Sequence, residues 1–481
     1  MMSRQTNPSD GFPADLLLEL PSGGGRGLRK RLERALRVAI QQDRLRGGAV
    51  LPPSRVLAAD LGVARSVVVE AYTNLAANGY VETRRGGWTR VRPSPNAAPH
   101  WEDSRSAYEQ QSFFGWRRPA TSPTLIRLLG GLPDPALFPR REWLRHYRGA
   151  LAELPSPALG YPDILGAEPL RQTLADYLGR VRGAVAAPDR IVICGGFTQA
   201  LTLICHVLRR AHARRIAVEE PCHIWHRAAI DRAGLQPVPI PVDDRGLDPA
   251  LLARARADAV LIAPAHSYPS GGTLDGARRQ ALATWAGRSG ALIIEDDYDA
   301  ELRYDRRPLG ALQGLAPEHT IYIGTASKTL TPALRLGWLI APPHLIEPLA
   351  REKHHDDMGT SLLEQLALAR FIDSGAFTRH LRHTRPIYRK RRDATIATLA
   401  ELLPSAHWQG EPAGLHLYLT LPGDVDEVAV ARSAYERGVL LELGGWHWAA
   451  PTRTPPSLVL GYGSAAEPAI RRGIKAIYDA I

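Results

Sequence analysis

Two apolar runs in this chain end in opposite charge, and that pairing limits the possible folds more than any other feature. Ala291-Leu292-Ile293-Ile294 closes on Glu295-Asp296-Asp297-Tyr298, while Ile321-Tyr322-Ile323 closes on Gly324-Thr325-Ala326-Ser327-Lys328, with Arg335 seven residues beyond the lysine. Short unbroken apolar runs predict strands buried on both faces, and helical stretches between them predict a parallel sheet. In an open α/β sheet, ligands bind at the carboxyl ends of the strands. A carboxylate and a phenol from one strand would meet a lysine and an arginine from the next at that edge. A lone lysine is ordinarily a solvated surface charge. Beside a second cation and partly buried, it loses its proton more readily and becomes a nucleophilic amine.

This constellation resembles the pyridoxal 5'-phosphate (PLP) site of fold-type I aminotransferases. The resemblance implies that Lys328 holds the cofactor aldehyde and that Asp296 faces the ring nitrogen. Tyr298 would meet the ring hydroxyl, and Thr325, Ser327 and Arg335 the phosphate. Arg190-Ile191-Val192-Ile193-Cys194 predicts a further strand, and Gly195-Gly196-Phe197-Thr198-Gln199 opens the helix after it. Free N–H groups at a helix start make an anion seat, so Gly196, Phe197 and Thr198 join the cofactor candidates. Three positions depart from the aminotransferase pattern. Tyr268 stands where those enzymes place asparagine before proline, His223 where an aromatic ring stacks on the cofactor, and Val459 where an arginine holds the substrate carboxylate.

At 481 residues the chain exceeds the size of a single core, so several domains are expected. No apolar run reaches membrane length, and no signal peptide is visible, so a cytoplasmic protein without membrane contact is expected. Cys194, Cys205 and Cys222 form no CxxC pair and are odd in number, which predicts buried free thiols and no metal site.

The formal net charge is +11, and most of it sits early: fourteen basic residues face five acidic ones between Arg26 and Arg92. Over the same stretch the periodicity predicts a helix over 28–42 and a second over 55–61 capped by Ser54. A third follows over 64–78, then a two-stranded hairpin turning at Arg84-Arg85-Gly86-Gly87. Leu51-Pro52-Pro53-Ser54-Arg55 through Ala64-Arg65 closely resembles the DNA-binding domain of GntR-type regulators. That resemblance implies base contacts from Arg65 and Arg55, and phosphate contacts from Ser66, Arg84 and Arg85. Ala64 replaces the usual serine, so the third helix is expected to lack its side-chain cap.

The fold class expected is therefore α/β. An arm (1–25) leads into a winged helix-turn-helix (26–92), a linker (93–124), and a PLP-dependent transferase fold of type I (125–481). The last comprises a large, mostly parallel α/β domain and a small C-terminal α+β domain from about 394, after a basic helical region near 378–392. Together the halves resemble MocR-type transcription regulators. The family implies a PLP-dependent regulator that senses PLP or a small amine or amino-acid effector, and a head-to-tail homodimer on promoter DNA with repeated half-sites. The competing expectation is an active aminotransferase with a DNA-binding appendage.

Overall fold

The computed structural model describes residues 28–41, 44–84, 88–92, 125–304, 309–423, 425–449 and 454–481. The chain divides into two compact units, 1–121 and 122–481. The expected arm and linker, and Arg85 in the hairpin turn, lie outside the described residues.

In the first unit, α1 (Leu28–Gln41), α2 (Ser54–Asp60) and α3 (Arg65–Ala77) pack around Leu32, Leu36, Leu57, Val68, Ala71 and Leu75, all buried. The wing strands β2 (Val81–Thr83) and β3 (Thr89–Val91) pair antiparallel, and β1 (Val50–Leu51) adds to β3, giving three strands rather than two. Ser54 is not the cap expected. It falls inside α2, behind Pro53, and no side chain caps that helix. The Ser54 hydroxyl instead accepts a long hydrogen bond from Arg65 Nε at 3.4 Å. The N-cap of α3 is Ala64, also without a side-chain hydrogen bond, as its sequence predicted. Tyr72 donates to the Pro52 carbonyl at 2.9 Å and ties α3 to the turn ahead of α2.

The second unit is built on an eight-stranded sheet. Its members are β5 (Ile191–Cys194), β6 (Arg215–Glu220), β7 (Gln236–Asp243), β8 (Gly246–Leu247), β9 (Ala259–Ile262), β10 (Leu292–Asp297), β11 (Thr320–Thr325) and β12 (Gly337–Ile340), ordered β5-β12-β11-β10-β9-β6-β7-β8. Strands β5, β11, β10, β9, β6 and β7 point one way, and β12 and β8 run against them. All four residues of β5, β9 and β12 are buried, the pattern of a sheet covered on both faces.

A second sheet, ordered β13-β14-β16-β15-β4, contains β13 (His407–Gln409), β14 (His416–Thr420), β15 (Val439–Leu443) and β16 (Ser457–Gly461) from the C-terminal region. Its edge strand β4 (Ile126–Leu128) comes from the other end of the unit and pairs parallel with Val439–Leu441. The small domain is thus assembled from both ends of the chain segment. No helix boundary marks position 394, because the basic region belongs to one helix spanning Ala376–Leu402. All three cysteines are buried and free. Among the described residues no helix is long and apolar enough to cross a membrane.

Candidate functional site

The parallel strands deliver chemistry to one edge. Asp296 pairs with Ile323 and Asp297 with Gly324, so the segment carrying Lys328 leaves β11 beside the end of β10. β5 ends at Cys194 and leads directly into Gly195 and Gly196. β9 leads to His266 and Tyr268, and β6 to His223.

Each acid in the last half of β10 or just beyond it has its own surroundings, and within the strand the pleat decides which. Glu295 accepts from the backbone N–H groups of Leu312 and Gln313 at 2.7 and 2.8 Å, closing a loop beneath the sheet. Asp297 accepts from Arg182 Nε at 2.8 Å in a buried ion pair. Asp299 Oδ2 lies 2.8 Å from His266 Nδ1. Asp296 alternates to the opposite face from Glu295 and Asp297, where its Oδ2 lies 3.9 Å from His226 Nε2 and its Oδ1 is buried without a hydrogen-bond partner. Burial, Asp297 and Asp299 push the Asp296 carboxyl well above its ordinary range, and Lys328 pulls the other way. A buried acid in this state gains most from a cationic partner, and a protonated ring nitrogen is one.

Tyr298 is buried, and its hydroxyl lies 3.1 Å from His266 Nδ1. Burial and the Asp299 and Asp296 carboxylates push the Tyr298 hydroxyl well above its ordinary range, and Asp299 also hydrogen-bonds it, so the phenol stays protonated. Thr325 Oγ1 donates to Ser327 Oγ at 2.9 Å, and the Ser327 N–H donates to Thr325 Oγ1 at 3.2 Å. Arg335 takes a left-handed backbone, φ 50°, at the end of a short turn. Its guanidinium lies over Gly196, where an added Cβ would stand 3.4 Å from Nη1. Gly196, φ 103°, caps the helix Phe197–Arg210. A guanidinium set against the positive end of a helix is repulsive unless an anion lies between them, which fits a phosphate. Thr198 and Arg335 line a cavity of about 640 Å³ on this side. Lys328 is half-buried, and Gly131, φ 65°, passes so close that a Cβ there would stand 3.0 Å from Nζ.

Two candidates sit differently from expectation. His223 caps the helix Ile224–Arg232 by accepting from the Trp225 N–H at 3.3 Å, and stacks on His226 with ring centroids 5.1 Å apart. It is His226, one turn on, that approaches Asp296 and packs 4.6 Å from the Phe197 ring. Burial lowers the His226 pKa to about 3, so that ring is neutral. The i, i+3 spacing of the two histidines was the available signal. Tyr268 donates its proton to Glu442 Oε1 at 2.6 Å, so that proton is already engaged within the protein. Val459 is fully buried against Tyr268, Tyr298 and Tyr418.

In the first unit Arg55, Arg65, Ser66 and Arg84 are all exposed, the first three on α2 and at the start of α3. Arg84 closes the wing, its N–H donating to the Trp88 carbonyl at 3.1 Å.

Comparison with known proteins agrees with both units. Residues 28–91 match the gntR family of bacterial regulatory proteins, and residues 140–445 match aminotransferase class I and II. The chain is 33% identical to the HTH-type pyridoxine biosynthesis transcriptional regulator PdxR of Corynebacterium glutamicum over 97% of this chain and 99% of that protein. It is 31% identical to the probable rhizopine catabolism regulatory protein MocR of Rhizobium meliloti, over 94% of this chain and 93% of that one. Among solved structures, a Pyrococcus horikoshii kynurenine aminotransferase in complex with PMP is 27% identical, covers 79% of this chain and 98% of its own, and superposes with a TM-score of 0.69. With DNA-reading and aminotransferase-like units in one chain, and full-length relatives of the same build, this protein belongs to the MocR-type HTH transcription regulators.

Proposed function

We propose that this regulator holds PLP at Lys328 and Asp296 and adjusts its grip on promoter DNA according to what occupies that site, PLP itself or a small amine or amino-acid effector. The observation that carries the reading is Asp296, a buried carboxyl with an unpartnered oxygen beside the strand that delivers Lys328. When bound, PLP supplies an aldehyde that amines attack and a ring that withdraws electrons. Lys328 tethers the aldehyde, Asp296 holds the ring-nitrogen proton, and Tyr298 donates to the ring oxygen. Thr325, Ser327, Arg335 and the N–H groups at Gly196, Phe197 and Thr198 seat the phosphate. His226 and His223 line the same side, and Tyr268 shapes the wall.

Arg65 and Arg55 are the proposed base readers, and Ser66, Arg84 and Arg85 the phosphate contacts. A head-to-tail homodimer on repeated half-sites fits the exposed Leu144 and Leu151, seven residues apart on one face of the helix Arg140–Glu153, and Tyr161, 84% exposed. The cytoplasm is the compartment in which such a protein would meet DNA. Efficient transamination is not part of the proposal, since Val459 offers a substrate carboxylate no cation.

Purified protein mixed with PLP should develop a visible absorption band and lose it in Lys328→Ala. A DNA footprint taken with and without PLP should differ. A Lys328→Ala protein that still holds the cofactor covalently at another lysine would refute the assignment, as would a footprint indifferent to PLP in the wild type.

A further inference from the structure

Glu442 lies in β15 directly opposite Val459 in β16. Its carboxylate does not reach for solvent. One oxygen accepts from the Tyr268 hydroxyl at 2.6 Å and lies 3.1 Å from His447 Nε2, and the other accepts from the Gly130 N–H at 2.9 Å. The donors come from three separate segments: the loop after β9, the chain after β4, and the short turn after β15. The ordinary explanation of such a knot is a structural tie between segments.

Its position argues for more. Tyr268 packs against Tyr298 and Val459, and its ring is 5.1 Å from His223. Gly131, next to Gly130, is the residue that passes Lys328 Nζ. The three donors therefore form the wall of the cofactor site. A backbone N–H, a phenol and an imidazole converging on one point make a seat for a carboxylate, and the chain places its own carboxylate there. Burial raises the Glu442 pKa, but the hydrogen bond and charge of His447 and the Tyr268 hydrogen bond outweigh it and hold the group below its usual value. A fixed negative charge then occupies the place, with Val459 beside it.

We propose that Glu442 is a built-in carboxylate filling the seat that a ligand carboxylate would take, so that the site admits PLP and simple amines and turns α-amino acids away. The inference rests on the PLP-site reading and narrows its effector to ligands without a carboxylate beside the amine. A ligand carboxylate would have to displace Glu442 from three hydrogen bonds and lie against its charge.

L-alanine and ethylamine differ at this point by the carboxylate, and they make the test. In PLP-loaded wild type, the visible band should shift with ethylamine at a concentration at least tenfold lower than with L-alanine. Glu442→Ala vacates the seat and leaves its donors free, so the ratio should fall at least tenfold. Glu442→Gln keeps the size and removes the charge, and its ratio should fall at least threefold. Independently of PLP, acetate should raise the melting temperature of cofactor-free Glu442→Ala and leave that of the wild type unchanged. If Glu442→Ala does not fold, Glu442→Gln decides alone. An unchanged alanine-to-ethylamine ratio in the folded variants, or wild type that takes both ligands equally well, overturns the proposal. Failure of the cofactor reading shows separately, as wild type without a band before any amine is added. The acetate measurement then decides the role of Glu442: a melting-temperature rise in Glu442→Ala alone upholds the filled seat, and none overturns it.

Discussion

In the winged-helix unit Arg55, Arg65 and Arg84 stand exposed over a small apolar core, whereas in the larger unit Asp296, Tyr298 and His226 are enclosed by a wide sheet and its helices. The difference follows from the ligand each arrangement suits. A DNA backbone is a long polyanion that meets side chains reaching outward, with affinity set by screened charge and sequence preference by a few forked contacts. A small cofactor is recognised by groups already fixed and dehydrated, where a single uncompensated charge is costly. Exposed charges thus permit sliding among many sites, and buried ones require a particular partner.

If that contrast is right, the largest effect belongs to the buried acid. Asp296→Asn should weaken PLP binding by about 3–5 kcal/mol, because it leaves the ring-nitrogen cation without its counter-charge in a buried place. Fluorescence titration of the cofactor measures it, and a loss below tenfold would mean that Asp296 is solvated in solution. Next come the exposed arginines. Arg65→Ala should cost about 1–3 kcal/mol of discrimination between specific and random duplexes. Arg84→Ala should instead weaken both alike and reduce the salt slope by about 1. Equal losses on both duplexes for Arg65→Ala would erase the distinction between base reader and phosphate contact. The smallest effect is a gain. Ala64→Ser supplies the cap that α3 lacks and should stabilise the winged helix by about 1 kcal/mol, visible as a higher melting temperature.

Much of this site was legible because it is local. Lys328, Thr325, Ser327 and Arg335 fall within one short stretch, and Gly196 to Thr198 within another, so their resemblance to the PLP site of fold-type I aminotransferases could be seen over short windows and nominated them. The winged helix was legible for the same reason, down to the uncapped α3. Ser54 was misread because a serine before a helix and one inside its first turn look identical in sequence. His226 was missed because its approach to Asp296 depends on how the helix Ile224–Arg232 docks beyond β6.

The sequence by itself determined which strands are buried and which residue types follow them, since these depend on period and composition over short windows, and its resemblances placed a GntR-like winged helix ahead of an aminotransferase-like unit. The tertiary structure supplied the physical reason that sets Asp296 apart from its three acidic neighbours: Glu295, Asp297 and Asp299 each meet partners from other segments, whereas Asp296 keeps an oxygen without a hydrogen-bond partner. It also brought β4 into the C-terminal sheet and set Glu442 against Gly130 across 312 residues of chain. Pairings at that distance are fixed by sheet register and by how two sheets share one chain, and no local pattern encodes them.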